Sequence, residues 1–356
     1  MKDEKINKSL SRVPQSLSFD NSALLRTFDH ESTIIRDLIV YAGNEKMKNL
    51  FNEVSFTIDD FCSEFNYSKT TLQRTMKEFV DNPKLIPIID GHKFDSLFEH
   101  SLYRALKENI IFSRKKDGKE TFQTVQIIEK LEVDYKKDTN KRTKRKYTIK
   151  LGTKILDFLF TEYNLIDYNE YRGIQTNKIS STGAMRNFYI YMGKMVANVQ
   201  FELKKGNGNS YVLSIDDLCS VFGADIKEPR NKKEYISKTL TCLQSDVKSL
   251  SFNWKFITKN TRHSYFVEFD FPQSTIEYFN EHRKARFYKR LYEEMSRIYK
   301  KTKMPKTEDY KSIPEMLKEM GNLPQEDFLN WFTSGTEDIE NKTRIFQRVY
   351  GEIYGA

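Results

Sequence analysis

The sequence predicts an α+β fold, mostly helical, in which a helix-turn-helix followed by a β-hairpin occurs twice. A phrase at Thr57–Phe65 returns at Ser214–Phe222 and differs only at its first, fifth and eighth positions. The offset of 157 residues exceeds solenoid periods of about 20–50 residues and matches a whole domain of ordinary size. A basic helical segment follows each phrase, and two strand-like segments around a basic tip close each copy. A helix-turn-helix with such a hairpin is a winged helix, so two winged-helix domains in tandem are predicted.

This pattern divides the chain into five segments. Residues 1–20 are polar and are predicted to be a flexible N-terminal arm. Residues 21–172 are the first winged-helix domain, residues 173–183 the linker, and residues 184–303 the second domain, which ends in a long basic helix. Residues 304–356 are an acidic helical tail.

A helix over Glu31–Ala42 is predicted to open the first domain, because four aliphatic residues recur on one face. In both copies of the phrase, a hydroxyl residue then stands three positions before an aspartate, Asp60 or Asp217. This spacing resembles a capping box with Asp in place of Glu, and it predicts a short helix with an apolar inner face. We therefore interpret the paired aspartates as helix caps and not as catalytic acids.

The second helix of each copy is predicted to be the DNA-recognition helix. In the first copy Asn66 takes the turn and Ser68 the cap, and the helical stripe is Leu72, Met76, Phe79 and Val80. In the second copy Gly223 takes the turn, residues 224–230 are an insertion, and the helix runs over Asn231–Leu250. A helix over Ala184–Phe201 opens that copy, and another begins after Pro272.

Each copy is predicted to end in a hairpin. The first pairs Thr121–Tyr135 with Lys146–Leu151 around a tip, Lys136–Lys146, that has seven basic residues and one acidic residue. The second pairs Ser251–Ile257 with Ser264–Phe271. So many like charges on one tip repel each other unless a polyanion offsets them.

Composition supports a polyanionic partner. The 356 residues include 59 basic and 50 acidic ones, for a net charge of +9, and six basic and ten acidic residues lie from Met304 onward. The first 303 residues thus carry 53 basic against 40 acidic side chains, which suits nucleic acid. Three cysteines without a CxxC pair predict neither zinc nor disulfides, and the absence of a long apolar stretch or signal peptide predicts a cytoplasmic protein without membrane contact.

No catalytic residue, metal ligand or cofactor is predicted. The chain lacks a phosphate-binding GxxxxGK motif, and its five histidines have no metal-ligand spacing. The predicted DNA contacts are the outward residues of the two recognition helices and the basic residues of the hairpin tips. They are Lys69, Thr70, Thr71, Gln73, Arg74, Lys77, Lys232, Lys233, Lys238 and Thr239 on the helices, and Lys141, Arg142, Lys144, Arg145, Lys259 and Arg262 on the tips.

Four features together resemble the replication initiator (Rep) proteins of theta-replicating plasmids: the doubled phrase, the hairpin after each copy, the early segment Glu31–Ala42 and the segment Arg186–Met192. The resemblance covers roughly residues 30–300 and implies two winged-helix domains that bind repeated sites in double-stranded origin DNA. It also implies recruitment of host replication proteins, such as a helicase or initiator, by a monomer, and repression by a homodimer. The chain departs from the family in residues 82–96, in residues 224–230 and in its tail.

The leading hypothesis is therefore a replication initiator of a plasmid or mobile element that binds DNA and performs no catalysis. One alternative is a transcriptional regulator or phage DNA-binding protein of the same fold, which would bind a site other than clustered direct repeats. A second alternative, of another class, is a nicking relaxase or a primase, which would cleave DNA or synthesise primers with Mg²⁺.

Overall fold

The computed structural model describes residues 10–14, 17, 22–44, 53–116, 119–134, 145–161, 163–176, 178–206, 208–247, 251–258, 265–299 and 339–354. It divides into two compact units, Met1–Ile276 and Glu277–Ala356. The fold is a mixture of helices and small antiparallel sheets. Both copies of the repeated phrase lie in the first unit.

The first copy, with its flanking segments, extends from strand β1 to helix α8. Its helices are α1 (Ser22–Phe28), α2 (Ser32–Gly43), α3 (Ile58–Phe65), α4 (Lys69–Gln73), α5 (Lys77–Asp81), α6 (Leu97–Lys107), α7 (Thr153–Thr161) and α8 (Tyr168–Gly173). Its strands are β1 (Leu10–Pro14), β2 (Glu53–Thr57), β3 (Ile88–Ile89), β4 (His92–Lys93), β5 (Asn109–Lys116), β6 (Lys119–Gln126), β7 (Ile128–Asp134), β8 (Lys146–Leu151) and β9 (Tyr163–Asp167).

The second copy begins at helix α9. It comprises α9 (Ile179–Lys204), β10 (Ser210–Ser214), α10 (Ile215–Phe222), α11 (Pro229–Asp246), β11 (Asn253–Thr258) and β12 (Tyr265–Asp270). Helix α12 (Gln273–Tyr299) follows, and α13 (Ile339–Tyr354) lies in the second unit. In the second unit Ile345, Val349 and Ile353 are buried on one face of α13, and the rings of Phe287 and Tyr350 meet edge to face.

The two copies share one sheet topology. In the first copy, β8 is the middle strand and pairs with β2 and β7, which gives the order β2-β8-β7. In the second copy, β12 is the middle strand and pairs with β10 and β11, which gives the order β10-β12-β11. All pairings are antiparallel. The second predicted hairpin is therefore confirmed, and the first is confirmed where β7 pairs with β8. Each hairpin also pairs with a third strand, β2 or β10, that was not predicted. The alternation at Glu53–Thr57, with Val54 and Phe56 buried, is the sequence signal for β2.

The predicted strand Thr121–Tyr135 is wrong as a single element. The chain bends at Ile127, so β6 pairs with β5 in a separate two-stranded sheet while β7 pairs with β8. Gly152 explains the bend, because its backbone N–H donates to the carbonyl of Ile127 and a side chain at this position would collide with the carbonyl of Gln126. The alternation of apolar residues continues through the bend, which is why the sequence suggested one strand.

The predicted flexible arm is also wrong for Leu10–Pro14. These residues form β1, which pairs with β9, and Val13 and Arg12 are buried. The Arg12 guanidinium donates to the carbonyl of Leu159 and lies over the ring of Tyr163, so aromatic and backbone partners compensate the buried charge. The boundaries of the five segments otherwise stay predictions.

Helices α2 and α9 open the two copies and approach each other closely at Gly183. A Cβ atom at this position would lie 3.0 Å from the Cβ of Thr33 and still closer to its hydroxyl oxygen. The backbone carbonyl of Gly183 accepts a hydrogen bond from Arg36 of α2 at 3.2 Å. The absence of a side chain at residue 183 therefore sets the distance between the two helices.

The replacement Gly183→Ala is expected to lower the free energy of unfolding by about 1–3 kcal/mol, the usual cost of overpacking a tight core contact. Urea unfolding measures the change. The matched control is Thr33→Ala combined with Gly183→Ala, because removal of the threonine hydroxyl and methyl makes room for the new methyl group. A Gly183→Ala protein as stable as the parent would contradict the close approach.

Candidate nucleic-acid interface

The two repeated phrases form equivalent capped helices, as predicted. Thr57 accepts a hydrogen bond from the backbone N–H of Asp60, and the Asp60 carboxylate accepts one from the N–H of Thr57, which completes a capping box. In the second copy Ser214 accepts from the N–H of Asp217 at 3.0 Å. The inner faces are buried in both copies, including Cys62. Asp60 thus completes the cap of α3, and the Asp217 carboxylate accepts a hydrogen bond at 2.7 Å from the hydroxyl of the cap residue Ser214.

The turns after these helices are also those predicted. Asn66 has φ 52° and Gly223 has φ 69°, both in the left-handed region that ends a helix. Asparagine and glycine adopt this conformation most readily, which is why they identify the turns in the sequence. Each turn then leads toward the second helix of its copy.

The first recognition helix is much shorter than predicted. Helix α4 ends at Gln73, and Arg74 is extended, with φ −66° and ψ 133°. Thr75 bridges Ser96, and the N–H of Met76 donates to the carbonyl of Asp95. These contacts with the segment before α6 outweigh the helical preference of residues 74–76. The predicted stripe through Met76 and Val80 is wrong, since Met76 lies outside any helix and Val80 is 64% exposed.

The first aspartate of each phrase holds a lysine of the following helix. Asp59 pairs with Lys69 at the start of α4, and Asp216 pairs with Lys232 in the second turn of α11. The two lysines were both predicted to contact DNA, and each pairs with the same aspartate of its phrase although the two lysines stand at different positions of their helices. Each ion pair therefore joins the first and second helices of its helix-turn-helix.

The remaining predicted contacts of the first copy are largely exposed. Thr70, Thr71, Arg74 and Lys77 are exposed, and Gln73 is half-buried. Leu72 is fully buried and anchors α4 to the core. Arg74 and Lys77 make no ion pair with any residue in the described part of the chain, so their charges are available to a partner.

The second copy presents a longer helix with a different set of contacts. Lys238 is 73% exposed and pairs with Glu234 one turn earlier, and the ammonium of Lys233 lies 3.2 Å from the ring centroid of Tyr265 in β12. Thr239 is buried, so its predicted place on the outer face of the helix is wrong. Thr239 thus belongs to the buried face of α11, together with Ile236, Leu240 and Leu243.

Arg230 is a candidate contact that the sequence analysis missed. It lies in the first turn of α11 and is exposed, because the helix begins at Pro229 and not at Asn231. Proline is common at the first position of a helix, where its missing N–H costs nothing, and this signal was present in the sequence. The predicted insertion therefore ends two residues earlier, and the recognition helix ends at Asp246.

The base of the first hairpin is tied to α6 through a buried carboxylate. Glu99 accepts hydrogen bonds from Arg145 at 2.6 Å and from the Tyr147 hydroxyl at 2.8 Å, and it lies 3.4 Å from His92. Arg145 is thus half-buried against α6, and its predicted contact with DNA stays a prediction. The other predicted tip residues, Lys141, Arg142, Lys144, Lys259 and Arg262, lie outside the described residues.

A second buried carboxylate, Glu31, lies on the other side of α6. It accepts hydrogen bonds from His100 at 2.8 Å and Arg104 at 2.9 Å. Burial by itself raises the pKa of Glu31, but these two partners outweigh it, and the pKa lies below its usual value of 4.5. Burial acts in the same way on the pKa of Glu99, which His92 and Arg145 lower.

The protein is therefore expected to lose stability in acid. A carboxyl whose pKa is lower in the folded state contributes stability above its unfolded pKa, near 4.5, and this stability disappears as the pH falls through the folded pKa. Urea midpoints between pH 6 and pH 3 measure it, and the slope below about pH 4.5 should be shallower in Glu31→Gln. The control is Glu132→Gln on an exposed strand face, which should leave the slope unchanged. Equal slopes in parent and Glu31→Gln would contradict the role of Glu31.

None of the described helices is long and apolar enough to cross a membrane. In the described part of the chain, no group of three or more His, Cys, Asp or Glu residues is arranged to hold a metal ion.

No protein-family model matches this chain, and neither does any curated protein. Its structure is similar to that of the Pi initiator protein in complex with iteron DNA, with a TM-score of 0.40 and 12% sequence identity over 74% of this chain and 97% of that chain. It is also similar to RctB domains 2–3, with a TM-score of 0.34 and 9% identity over 68% and 83% of the two chains. An initiator protein is among the solved structures to which this chain is similar.

Proposed function

We propose that each copy is a winged helix and that the two together bind double-stranded DNA. The observation that carries the proposal is the doubled unit itself, because cap, turn, second helix and three-stranded sheet recur in the same order. A helix-turn-helix presents its second helix to the major groove, and a hairpin beside it reaches the backbone or the minor groove. The exposed cations Arg230 and Lys238 lie on α11, and the exposed Arg74 directly follows α4. In the sequence, the basic run Lys136–Arg145 stands between β7 and β8.

The partner we propose is an origin of replication with repeated sites, on a plasmid or another mobile element. The two proposed winged helices differ from each other, so one chain suits a long, asymmetric DNA site better than a short palindrome. Palindromic sites match the twofold symmetry of protein dimers. The chain would act by binding alone and would recruit host replication proteins to the origin. It would perform no catalysis.

The experiment that tests this function uses the full chain and fragments of the replicon that encodes it. Pull-down at about 0.15 M salt, where non-specific binding is weakened, followed by sequencing, is expected to enrich a short element repeated beside AT-rich DNA. One palindrome near a promoter would favour a transcriptional regulator. No enriched duplex would overturn the proposal, and strand cleavage or primer synthesis with Mg²⁺ would favour an enzyme.

The replacement Arg74→Ala is expected to weaken binding to the selected site by about 1–3 kcal/mol and to relax the preference at one base position. An exposed arginine at the end of α4 can reach guanine with two hydrogen bonds, which alanine cannot replace. Binding to a panel of single-base variants measures the change.

The control is Lys77→Ala, which removes an exposed charge from the next helix and should weaken binding to all sequences alike. Unchanged affinity and selectivity in Arg74→Ala would show that α4 is not the reading element of the first copy.

A further inference from the structure

Helix α9 contains a fully buried charge. Arg186 is fully buried and pairs at 2.5 Å with Asp37 of α2, which is also fully buried. Asp37 in turn accepts hydrogen bonds from the hydroxyls of Tyr67 and Tyr171. Helices α2 and α9 are thus joined through a buried ion pair and its hydrogen-bond partners.

The same guanidinium holds the turn of the first helix-turn-helix. Arg186 donates to the carbonyl of Phe65 at 3.3 Å and to the Tyr67 hydroxyl at 3.3 Å, on either side of the left-handed Asn66. It also donates to the carbonyls of Tyr171, Ile174 and Arg172. Tyr67 directly precedes Ser68, the N-cap of α4, so the network determines where the first recognition helix begins.

The next two residues of α9 contact the turn of the second copy. Asn187 is buried, and its amide nitrogen lies within 3.4 Å of where a Cβ on Gly223 would be. The ring of Phe188 lies 5.6 Å from that of Phe222, the last residue of α10. Three consecutive residues of one helix therefore hold both turns.

A second internal repeat, which the sequence analysis did not identify, marks these residues. Arg36-Asp37 with Tyr41 and Gly43 in α2 corresponds to Arg186-Asn187 with Tyr191 and Gly193 in α9, at an offset of 150 residues. The two segments open their copies, and they are also the segments that meet at Gly183. Asn187 stands in α9 where α2 has Asp37, so the two segments together contain a single carboxylate at this position. That carboxylate, Asp37, pairs with the fully buried Arg186.

We infer that α9 couples the two helix-turn-helix units into one rigid reader, with Arg186 and Asp37 as positioning residues that impose a fixed spacing between two subsites in the DNA. Buried, interlocked side chains have discrete arrangements and do not deform gradually. The two recognition helices therefore keep one separation, and the bound duplex must present both subsites at that separation and on matching faces. This inference rests on the proposed function.

The test uses the full chain and the duplex that it selects from a random library, with about five base pairs inserted between the two protected segments. This insertion rotates one subsite by about half a helical turn. The parent protein is expected to lose about 100-fold in affinity, because the second unit can no longer bind together with the first.

The variant is Arg186→Lys, which keeps the charge but cannot make the branched set of hydrogen bonds. It is expected to bind the original duplex about tenfold more weakly and to lose only about tenfold on insertion, since a loosened joint tolerates several spacings. The ratio of the two affinities is the decisive quantity, because a variant that is merely less stable loses both in proportion. Tyr67→Phe, which removes one hydroxyl from the network, is the milder variant and should shift the ratio in the same direction.

Two results would overturn the inference while the proposed function stands. One is a parent protein that binds both duplexes equally, and the other is an unchanged ratio in both Arg186→Lys and Tyr67→Phe. If the parent protein selects no duplex at all, the proposed function fails and the inference fails with it.

Discussion

The replacement Arg186→Ala is expected to lower the free energy of unfolding by about 3–5 kcal/mol, the usual result of leaving one member of a buried ion pair alone. Asp37 would remain buried without a countercharge, and the carbonyls that Arg186 contacts would lose a donor. Burial by itself lowers the pKa of Arg186, but the charge of Asp37 outweighs it and keeps the pKa above its usual value.

Urea or thermal unfolding measures this loss. The control is Lys238→Ala, which breaks the exposed ion pair with Glu234 one helical turn earlier and should leave the unfolding midpoint unchanged. A double-mutant cycle with Asp37→Ala adds a second criterion, because the double variant should lose less than the sum of the single ones. Additive effects would show that the two residues do not stabilise each other.

The second large effect is expected from the hairpin tip. Replacement of Lys141, Arg142 and Lys144 by alanine should weaken binding to every duplex, specific or not, because these residues are predicted to contact phosphates. Each lost contact should reduce the slope of log affinity against log salt by about one, so the triple variant should lose about three. Titrations between about 50 and 200 mM salt measure the slope.

The matched control removes the same number of charges elsewhere. Lys107, Lys154 and Lys205 lie on helix ends or faces outside the proposed interface, and their joint replacement should leave the slope close to that of the parent protein. Equal slopes in the two triple variants would show that net charge, and not the hairpin tip, attracts DNA.

Arg145 is excluded from the tip variant for a structural reason. Its guanidinium holds the buried Glu99, so Arg145→Ala would destabilise the fold and confuse the binding measurement. The sequence placed it in the same basic run as Lys144, and only the tertiary contact with α6 distinguishes the two.

Much of each helix-turn-helix could be predicted from the sequence because its signals are local. A cap such as Thr57, a left-handed turn residue such as Asn66 and an apolar face each depend on neighbours a few positions away. The repetition of these signals at Ser214 and Gly223 predicted the doubled architecture. No distant part of the chain was needed for any of them.

The candidate site was harder to predict, because long-range contacts override local preference there. The break at Arg74 depends on the segment at Asp95–Leu97, and the burial of Thr239 depends on how α11 lies in its copy. These contacts join residues that are distant in the sequence, so local sequence patterns do not reveal them.

The sequence by itself determined the caps, the turns, the two hairpins and the basic tip, because each follows from residues close together in the chain. The tertiary structure alone decided that β1 is part of the core and that α4 ends at Gln73. It also decided that Arg186 pairs with Asp37, which lies 149 positions away in the sequence. A buried arginine and an exposed arginine look alike in a sequence. Only packing determines which of them meets a carboxylate inside the protein and which, like Arg74, remains available to a partner.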